Sequence, residues 1–292
     1  MTTFLTRFAP TLFALLWSTG WISARFGADH AEPLTFLSFR HAFSAIALAA
    51  LCVLLGARWP RTAREVGHAF ASGLLLHAIH LGGVWWAIAH GVPAGISGLI
   101  AALQPILTAL LAPALIGERI GRAQWIGVVL GFAGIGLVLW PKLAGPVAGD
   151  LAAVATPIAI NAGGMLAATL GAFYQKRFLA RSDLLSTQTL QFTSAFIFTL
   201  PVALAVESFR IEWNTTIVAT MAWSVLGMSI GASCLLLLLI RHGAVSRAAA
   251  LMYLMPPLVA VEAFLLFDER LSAAQLAGMA VTVVGVALAT RR

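Results

Sequence analysis

The stretch from Leu103 to Gly127 reads LQPILTALLAPALIGERIGRAQWIG, and the stretch from Leu254 to Gly278 reads LMPPLVAVEAFLLFDERLSAAQLAG. With a constant offset of 151 residues, eleven positions of the two stretches are identical. In the first stretch these positions are Leu103, Pro105, Leu107, Ala109, Ala112, Leu115, Glu118, Arg119, Ala123, Gln124 and Gly127. Shared apolar composition explains the leucines and alanines, but not proline, glutamate-arginine, glutamine and glycine in one register. The chain therefore contains an internal duplication.

The composition around these stretches is that of a membrane protein. Apolar residues make up 60% of the 292 residues and charged residues only 10%, against about 25% charged in a typical soluble domain. The mean hydropathy is +0.93. Continuous apolar runs exclude a transmembrane β-barrel, and the low charge excludes a disordered chain. In such a chain a net charge of +7 is more typical of basic cytoplasmic loops than of nucleic-acid binding.

Apolar runs between charges and proline or glycine breaks predict ten membrane-spanning helices of about 20 residues each. The predicted spans cover residues 8–26, 35–56, 66–90, 94–116, 123–140, 151–175, 186–206, 216–240, 246–267 and 273–290. We interpret the first run as a retained helix and not as a signal peptide, because no convincing small-residue cleavage site follows it.

The distribution of lysine and arginine predicts the orientation of these spans. With the N-terminus in the cytoplasm, 13 of the 18 basic residues lie on the cytoplasmic side and four on the outer side, in agreement with the positive-inside rule. Because each copy has five spans, the second copy enters the membrane the opposite way up. We therefore predict an all-α integral membrane protein with ten transmembrane helices in two inverted five-helix repeats, residues 1–141 and 150–292, and with both termini cytoplasmic. Inverted repeats build secondary transporters with the substrate near the midplane.

The doubled Pro, Glu-Arg, Gln and Gly pattern and the stretch LLWSTGWISARFG at Leu15–Gly27 give the chain a family resemblance. It resembles the EamA-type branch of the drug/metabolite transporter superfamily over essentially its whole length. The resemblance implies ten helices in two inverted halves and export of metabolites from the cytoplasm. Within the family the chain is most similar to bacterial amino-acid exporters, the aromatic ones in particular. It is thereby expected to reside in the bacterial inner membrane.

Prolines occupy equivalent positions in the middle of two predicted spans. Pro105 lies in the fourth span, and Pro256 lies in the ninth, followed by Pro257. A proline inside a helix removes a backbone hydrogen bond, and such breaks are tolerated where protein or a wet cavity meets the freed carbonyls. Pro105 and Pro256 are therefore a candidate pair of hinges for alternating access. The other interpretation is that they only kink their helices.

A few polar and aromatic residues fall at the predicted depth of a substrate site. The candidate substrate-binding residues are Trp17, Trp21, His77, His80, Gln104, Asn161 and Tyr253. For Gln104 and Asn161, the alternative to substrate contact is a hydrogen bond between helices. For each tryptophan, the alternative is lipid contact or core packing.

The two histidines His77 and His80 lie three residues apart and share a helix face. Three interpretations stay open for them. They relay protons or sense pH, they bind a metal with Glu262 as a third ligand, or they line the cavity by hydrogen bonding. We favour the cavity lining and predict no metal site, because no further ligand cluster accompanies them.

Charged residues toward the outer ends of the spans form a possible network of Arg25, Arg40, His41 and Glu262. An ion pair between Arg40 and Glu262 would close an outer gate. Glu118 and Glu269, each followed by arginine, lie at loop edges. We interpret them as caps of helix ends and not as substrate ligands.

Motifs of chemical catalysis and ATP hydrolysis do not occur in the chain. It has no G-x-x-x-x-G-K-[ST] loop, no H-E-x-x-H and no G-x-S-x-G, so we predict no cofactor, no ATPase subunit and no enzyme activity. The partners predicted are a small-molecule substrate and the lipid bilayer. The function predicted is secondary export of small organic metabolites, amino acids and above all aromatic ones. Multidrug efflux of hydrophobic cations is the alternative, followed by a passive channel and an intramembrane metal enzyme.

Overall fold

A computed structural model of the protein describes residues 2–116, 121–143, 151–232, 234–235 and 255–289. Within these ranges the chain forms twelve α-helices and two π-helical segments. The α-helices are α1 Thr2–Ala28, α2 Pro33–Leu55, α3 Ala63–Gly73, α4 His80–Ala89, α5 Ala94–Ile100, α6 Leu103–Ile116, α7 Arg122–Leu143, α8 Leu151–Phe178, α9 Leu184–Val206, α10 Thr215–Ala222, α11 Met255–Phe267 and α12 Ala273–Ala289. The π-helical segments, Leu74–Ile79 and Trp223–Gly231, continue α3 and α10 without a break.

The helices are those of a multi-pass membrane protein. Six stretches are long and apolar enough to cross a membrane, namely Pro33–Leu55, Ala63–Ala89, Ala94–Leu115, Arg122–Trp140, Ala155–Phe178 and Leu184–Val206. Three shorter apolar helices cover Thr215–Gly231, Met255–Phe267 and Ala273–Ala289. The prediction of an all-helical membrane protein is confirmed. Each predicted span overlaps a described helix, although the predicted spans 216–240 and 246–267 lie partly outside the described residues.

Polar residues at the helix ends fix several of these boundaries. Thr62 and Glu65 form a capping box at the start of α3, and the carboxylate of Asp183 accepts a hydrogen bond from the N–H of Leu185 at the start of α9, at 3.0 Å. Asn214 caps α10 by accepting from the N–H of Ile217. Such caps satisfy N–H groups that the first turn of a helix leaves without a partner.

The offset of 151 residues relates the helices as well as the sequence. Helix α9 covers the residues of α2 shifted by this offset at both ends, and α12 begins at the residue that corresponds to the start of α7. The first π-helical segment shifts to residues 225–230, which lie inside the second one. The duplication is thus visible in the architecture, including an irregular feature that composition does not predict.

Equivalent helices of the two repeats pack against each other in antiparallel pairs. In the pair α7 and α12, a Cβ added to Gly127 would meet backbone atoms of Gly285, and one added to Gly134 would meet the carbonyl of Gly278. Gly127 precedes Gly134 on α7, whereas its contact Gly285 follows Gly278 on α12, so the two helices run antiparallel. The two contacts are equivalent, because the offset of 151 relates Gly127 to Gly278 and Gly134 to Gly285. Small residues allow this close approach of two backbones. In the pair α2 and α9, Cys52 near the end of α2 lies beside Thr189 near the start of α9.

The fourth predicted span is divided in the structure. Helix α5 ends at Ile100, a turn closes with a hydrogen bond of 2.9 Å from the Ala102 N–H to the Leu99 carbonyl, and α6 begins at Leu103. Pro105 therefore lies in the first turn of α6, where a missing N–H removes no helical hydrogen bond. Pro256 is the second described residue of α11, and the residues before Met255 lie outside the described part of the chain. For Pro105 the prediction of a proline in the middle of a continuous helix is therefore wrong, because this proline lies near the start of α6.

Candidate functional site

A cavity of about 230 Å³ lies between the two repeats. It is bordered by α1, α2, α4, α6, α8, α9 and both π-helical segments. The described residues that line it are Phe13, Trp17, Gly20, Trp21, Arg40, Leu76, His77, His80, Leu81, Val84, Trp85, Gln104, Ala168, Gln175, Gln188, Gln191, Phe192, Met228, Ser229 and Ala232. The volume is close to the lower end of small-molecule sites, which run from about 300 to 1,000 Å³.

Five of the seven predicted substrate-binding residues lie together at this cavity. They are Trp17, Trp21, His77, His80 and Gln104. The exposed fraction is 37% for Trp17 and 7% for Trp21. His77 lies in the first π-helical segment and His80 directly after it, so the irregular segment aims both rings at the cavity.

Asn161 and Tyr253 are the two predicted residues that do not lie among these. Asn161 on α8 is fully buried, and its amide Nδ2 donates a hydrogen bond of 2.6 Å to the hydroxyl of Ser97 on α5. This contact is the hydrogen bond between helices that was the alternative interpretation of Asn161. Tyr253 lies outside the described residues.

The structure does not bring Arg40 and Glu262 together, in contrast to the predicted gate pair. Glu262 on α11 lies 2.5 Å from the hydroxyl of Ser18 on α1. Arg40 on α2 lines the cavity instead. The rotation of each helix about its axis turns the two side chains toward different neighbours.

Arg25 also departs from the predicted network. It pairs at 2.8 Å with Asp29, which lies just beyond the end of α1, on the exposed surface. His41 is fully buried, and its ring packs 6.0 Å from the ring of Phe192. Neither residue lines the cavity.

Sequence reasoning missed several lining residues that the offset of 151 would have found. Four pairs of equivalent positions both line the cavity. They are Trp17 with Ala168, Arg40 with Gln191, His77 with Met228 and Leu81 with Ala232. Both repeats therefore contribute equivalent positions to the cavity wall, but the side chains at these positions differ in chemistry.

Aromatic rings form much of the cavity wall. Trp85 stacks on the fully buried Phe36 with a centroid distance of 4.6 Å and an interplanar angle of 19°. His77 stacks on Phe192 at 4.3 Å. Stacking on a second ring holds each lining ring in one orientation, so the wall offers fixed flat surfaces.

A glutamine network borders the same cavity. The amide Nε2 of Gln191 donates hydrogen bonds to the hydroxyl of Ser72 at 2.9 Å and to Oε1 of Gln175 at 3.0 Å. Gln175 is located near the end of α8, and Gln188 near the start of α9, so the cavity extends toward the end of the bundle that carries residues 56–62 and 179–183.

Carboxylates close the other end of the bundle, which carries residues 29–32, 90–93, 207–214 and 268–272 and is called the Glu32 end below. Glu207 accepts hydrogen bonds from the N–H groups of Leu34 and Thr35 at the start of α2, at 2.9 and 2.7 Å. Glu269 accepts from the N–H groups of Ala94 and Gly95 at the start of α5, at 3.2 and 3.1 Å. The prediction that Glu269 caps a neighbouring helix is confirmed, whereas Glu118 lies outside the described residues.

Glu32 provides a third such contact in the reverse direction. Its carboxylate accepts hydrogen bonds from the N–H groups of Ser208 and Arg210, at 3.0 and 2.8 Å. These two N–H groups lower the pKa of Glu32 below its ordinary value of 4.5. Each of the three carboxylates connects one repeat to the other, so the Glu32 end is closed by contacts between the repeats.

A metal centre finds no support in the described part of the chain. There, no three side chains of His, Cys, Asp and Glu lie close enough to hold an ion. His77 and His80 lie at the cavity, but Glu262, the third ligand considered from sequence, contacts Ser18.

Comparison with known proteins identifies the family. The model of the EamA-like transporter family matches the chain twice, at residues 8–140 and 156–291. A solved crystal structure matches 98% of this chain and 96% of its own chain with a TM-score of 0.69 at 19% identity, which shows a common fold.

Curated relatives cover nearly the whole chain. A "probable terminal-alkyne amino-acid exporter" of Streptantibioticus cattleyicolor is 28% identical over 288 residues, covering 97% of this chain and 93% of the relative. A "probable amino-acid metabolite efflux pump" of Escherichia coli K12 is 24% identical over 285 residues, covering 94% and 91%. The chain belongs to the EamA-like transporter family, and it is a multi-pass membrane transporter and not an enzyme.

Proposed function

We propose that the protein is a secondary transporter that exports small organic metabolites by alternating access. Amino acids are the proposed substrates, above all those with aromatic side chains. The substrate occupies the cavity between the repeats, and Tyr253 completes the site. The proposed contacts are Trp17, Trp21, His77, His80 and Gln104, which all line the cavity.

One observation carries this proposal: a cavity of metabolite size lined by both fixed aromatic rings and polar groups. Ring faces such as that of Trp85 suit a flat side chain, and the glutamine and histidine side chains suit polar groups. Two relatives named for amino-acid export or efflux point to the same substrate class.

The proposed topology is ten spans of the bacterial inner membrane in two inverted repeats, residues 1–141 and 150–292, with both termini cytoplasmic. The antiparallel contacts of α2 with α9 and of α7 with α12 support the inversion. In this orientation the Glu32 end faces outward and is closed, and the cavity extends toward the cytoplasm. Pro105 and Pro256 act as hinges; Pro105 directly follows Gln104, which lines the cavity.

Multidrug efflux of hydrophobic cations remains the alternative outcome of the test. It is disfavoured because Arg40 is the one charged side chain among the described residues that line the cavity. A cationic drug would meet a positive charge there and no described carboxylate.

Counterflow in liposomes tests the proposal. Purified protein is reconstituted in vesicles preloaded with unlabelled tryptophan, threonine or buffer, and uptake of labelled tryptophan and threonine is measured. We expect saturable tryptophan uptake that requires preloading, and we expect His77→Ala to lower its rate about tenfold or more, the size of effect that loss of a buried polar contact produces. His90→Ala is the matched control, because His90 stacks on Trp86 outside the cavity.

The outcomes separate the parts of the proposal. Exchange of threonine alone keeps the carrier and rejects the aromatic preference. Fluxes that do not saturate indicate a channel. Folded protein that exchanges neither amino acid but takes up cationic dyes would support multidrug efflux instead.

A further inference from the structure

Arg40 is a buried cation that has no salt-bridge partner among the described residues. Only 4% of its surface is exposed, and in the described part of the chain its Nε and Nη1 atoms are buried without a hydrogen-bond partner. Glu262, the carboxylate that the sequence suggested as its partner, contacts Ser18 instead. An uncompensated buried charge is costly unless something pairs with it during the working cycle.

The same cavity holds a second unsatisfied donor. Nε1 of Trp21 is buried and has no hydrogen-bond partner among the residues that the structure describes, and Trp21 lines the cavity together with Arg40. Among the described lining residues, the buried side-chain atoms without partners are all N–H donors: Nε and Nη1 of Arg40 and Nε1 of Trp21. No described residue that lines the cavity carries a negative charge that could pair with them.

A carboxylate is the small group that satisfies these donors best. The guanidinium presents its N–H groups in a planar fork that matches the two oxygens of a carboxylate. The position equivalent to Arg40 in the second repeat is Gln191, which also lines the cavity but carries no charge. The positive charge therefore lies on one side of the cavity only, which orients a bound anion.

We propose that Arg40 binds the carboxylate of the transported molecule, with the indole N–H of Trp21 as an additional donor, so that a carboxylate is required for recognition. This inference rests on the proposed export of amino acids and specifies how that site selects them. An amine that lacks the carboxylate is rejected even when its aromatic ring is unchanged.

The first experiment compares ligands on the wild-type protein. Counterflow of labelled tryptophan is competed with tryptophan, with indole-3-propionate, which keeps the carboxylate and lacks the amine, and with tryptamine, which lacks the carboxylate. We expect indole-3-propionate to compete and tryptamine to compete about tenfold more weakly or worse, as for loss of a charged hydrogen bond. Competition by tryptamine as strong as by tryptophan would overturn the inference.

The second experiment changes the cation. We expect Arg40→Gln to weaken the apparent affinity for tryptophan about tenfold or more. In this variant tryptamine and tryptophan should compete with similar potency. Arg40→Lys keeps the charge but not the planar fork of N–H groups, so its affinity for tryptophan should lie between those of the wild type and Arg40→Gln. Arg25→Gln is the matched control, because this arginine already pairs with Asp29 at 2.8 Å, and it should leave the ligand order unchanged.

Failure of this inference can be distinguished from failure of the proposed function. Tryptophan exchange without discrimination against tryptamine rejects only the role of Arg40. If threonine is the exchanged substrate, 1-amino-2-propanol replaces tryptamine as the competitor without a carboxylate. The inference then requires it to compete more weakly than threonine. If Arg40→Gln does not fold, as judged by size exclusion, the wild-type comparison still decides. Folded protein that exchanges no amino acid and takes up cationic dyes overturns both.

Discussion

Equivalent residues of the two repeats carry different chemistry where they meet at the cavity. Arg40 and its equivalent Gln191 both line the cavity, as do His77 and its equivalent Met228. A site formed by two identical halves would offer every group twice. The divergence of these pairs gives the cavity one charged side, which is what orientation of a substrate requires.

Glu32 makes a pH-dependent contribution to stability. Because its pKa is lowered in the folded protein, the carboxylate form stabilises the fold above the ordinary pKa of 4.5, and this stabilisation is lost as the pH falls through the lowered value. We expect Glu32→Ala to lower the melting temperature at pH 6 by roughly 2–4 °C, as for a lost helix-cap contact of about 1 kcal/mol.

Thermal unfolding in detergent at several pH values measures this effect. The melting temperatures of Glu32→Ala and the wild type should converge as the pH falls well below 4.5. A difference that stays constant from pH 6 to the most acidic condition would contradict the role of the ionised carboxylate. The control is Glu212→Ala, whose carboxylate is half exposed and pairs with Arg210 at 3.3 Å.

The residues of the site could be predicted by type and depth, but not by direction. Trp17 and Gln104 were found because their depth in an apolar span is informative, and both line the cavity. Asn161 has a similar depth but faces Ser97, and Arg40 faces the cavity and not Glu262. Which way a side chain points depends on the rotation of its helix, and this is set by packing between helices that hydropathy does not encode.

Irregular elements border the cavity. The two π-helical segments carry His77 and Met228, and the break between α5 and α6 lies just before Gln104. π-helical turns and broken helices recur at functional sites, because they re-aim side chains and free backbone groups. Pro105 predicted this break approximately, whereas nothing in the composition predicted the π-helical segments.

The pair α7 and α12 provides a test of close helix packing. A Cβ at Gly134 would lie 2.6 Å from the Thr282 N and 2.7 Å from the Gly278 carbonyl oxygen, whereas one at Gly136 meets nothing within 4 Å. We expect Gly134→Ala to lower the free energy of unfolding by roughly 1–3 kcal/mol through overpacking. We expect Gly136→Ala to leave it unchanged or raise it by up to about 1 kcal/mol, since alanine favours the helix.

Melting temperatures in one detergent measure both variants. The two substitutions add the same methyl group to one helix, so opposite signs isolate the contact with α12. Equal effects would show that α7 and α12 do not approach each other as closely as Gly134 and Gly278 require.

At the scale of the whole molecule, the internal duplication determines how much of the fold could be predicted from the sequence. The doubled stretch and the apolar runs predicted the two-repeat helical fold, because length, hydropathy and repeats are properties of the chain itself. The closure of the Glu32 end could not be predicted, because Glu207 and Glu269 bond to backbone N–H groups of distant helices. A backbone N–H donor is present at almost every residue, so the type of residue does not reveal which one a carboxylate will contact.

Cysteine labelling tests the inverted topology. Asp29 and Ala180 are equivalent in the two repeats, and both are exposed. In a Cys52→Ser, Cys234→Ser background, a membrane-impermeant maleimide applied to intact spheroplasts should label Asp29→Cys and not Ala180→Cys. After permeabilisation both should react. Labelling of both positions from one side would exclude the inversion.

The presence of a π-helical segment at equivalent places in both repeats has a consequence for the history of the protein. The irregular turn was present in the ancestral five-helix chain before its gene was duplicated and fused. In the proposed topology, that ancestor would enclose a cavity only by pairing with an inverted copy of itself, and both walls would then be identical. Arg40 and Gln191 occupy equivalent positions of the duplicated chain, so the proposed ability to distinguish the two ends of a substrate would be younger than the fold that encloses it.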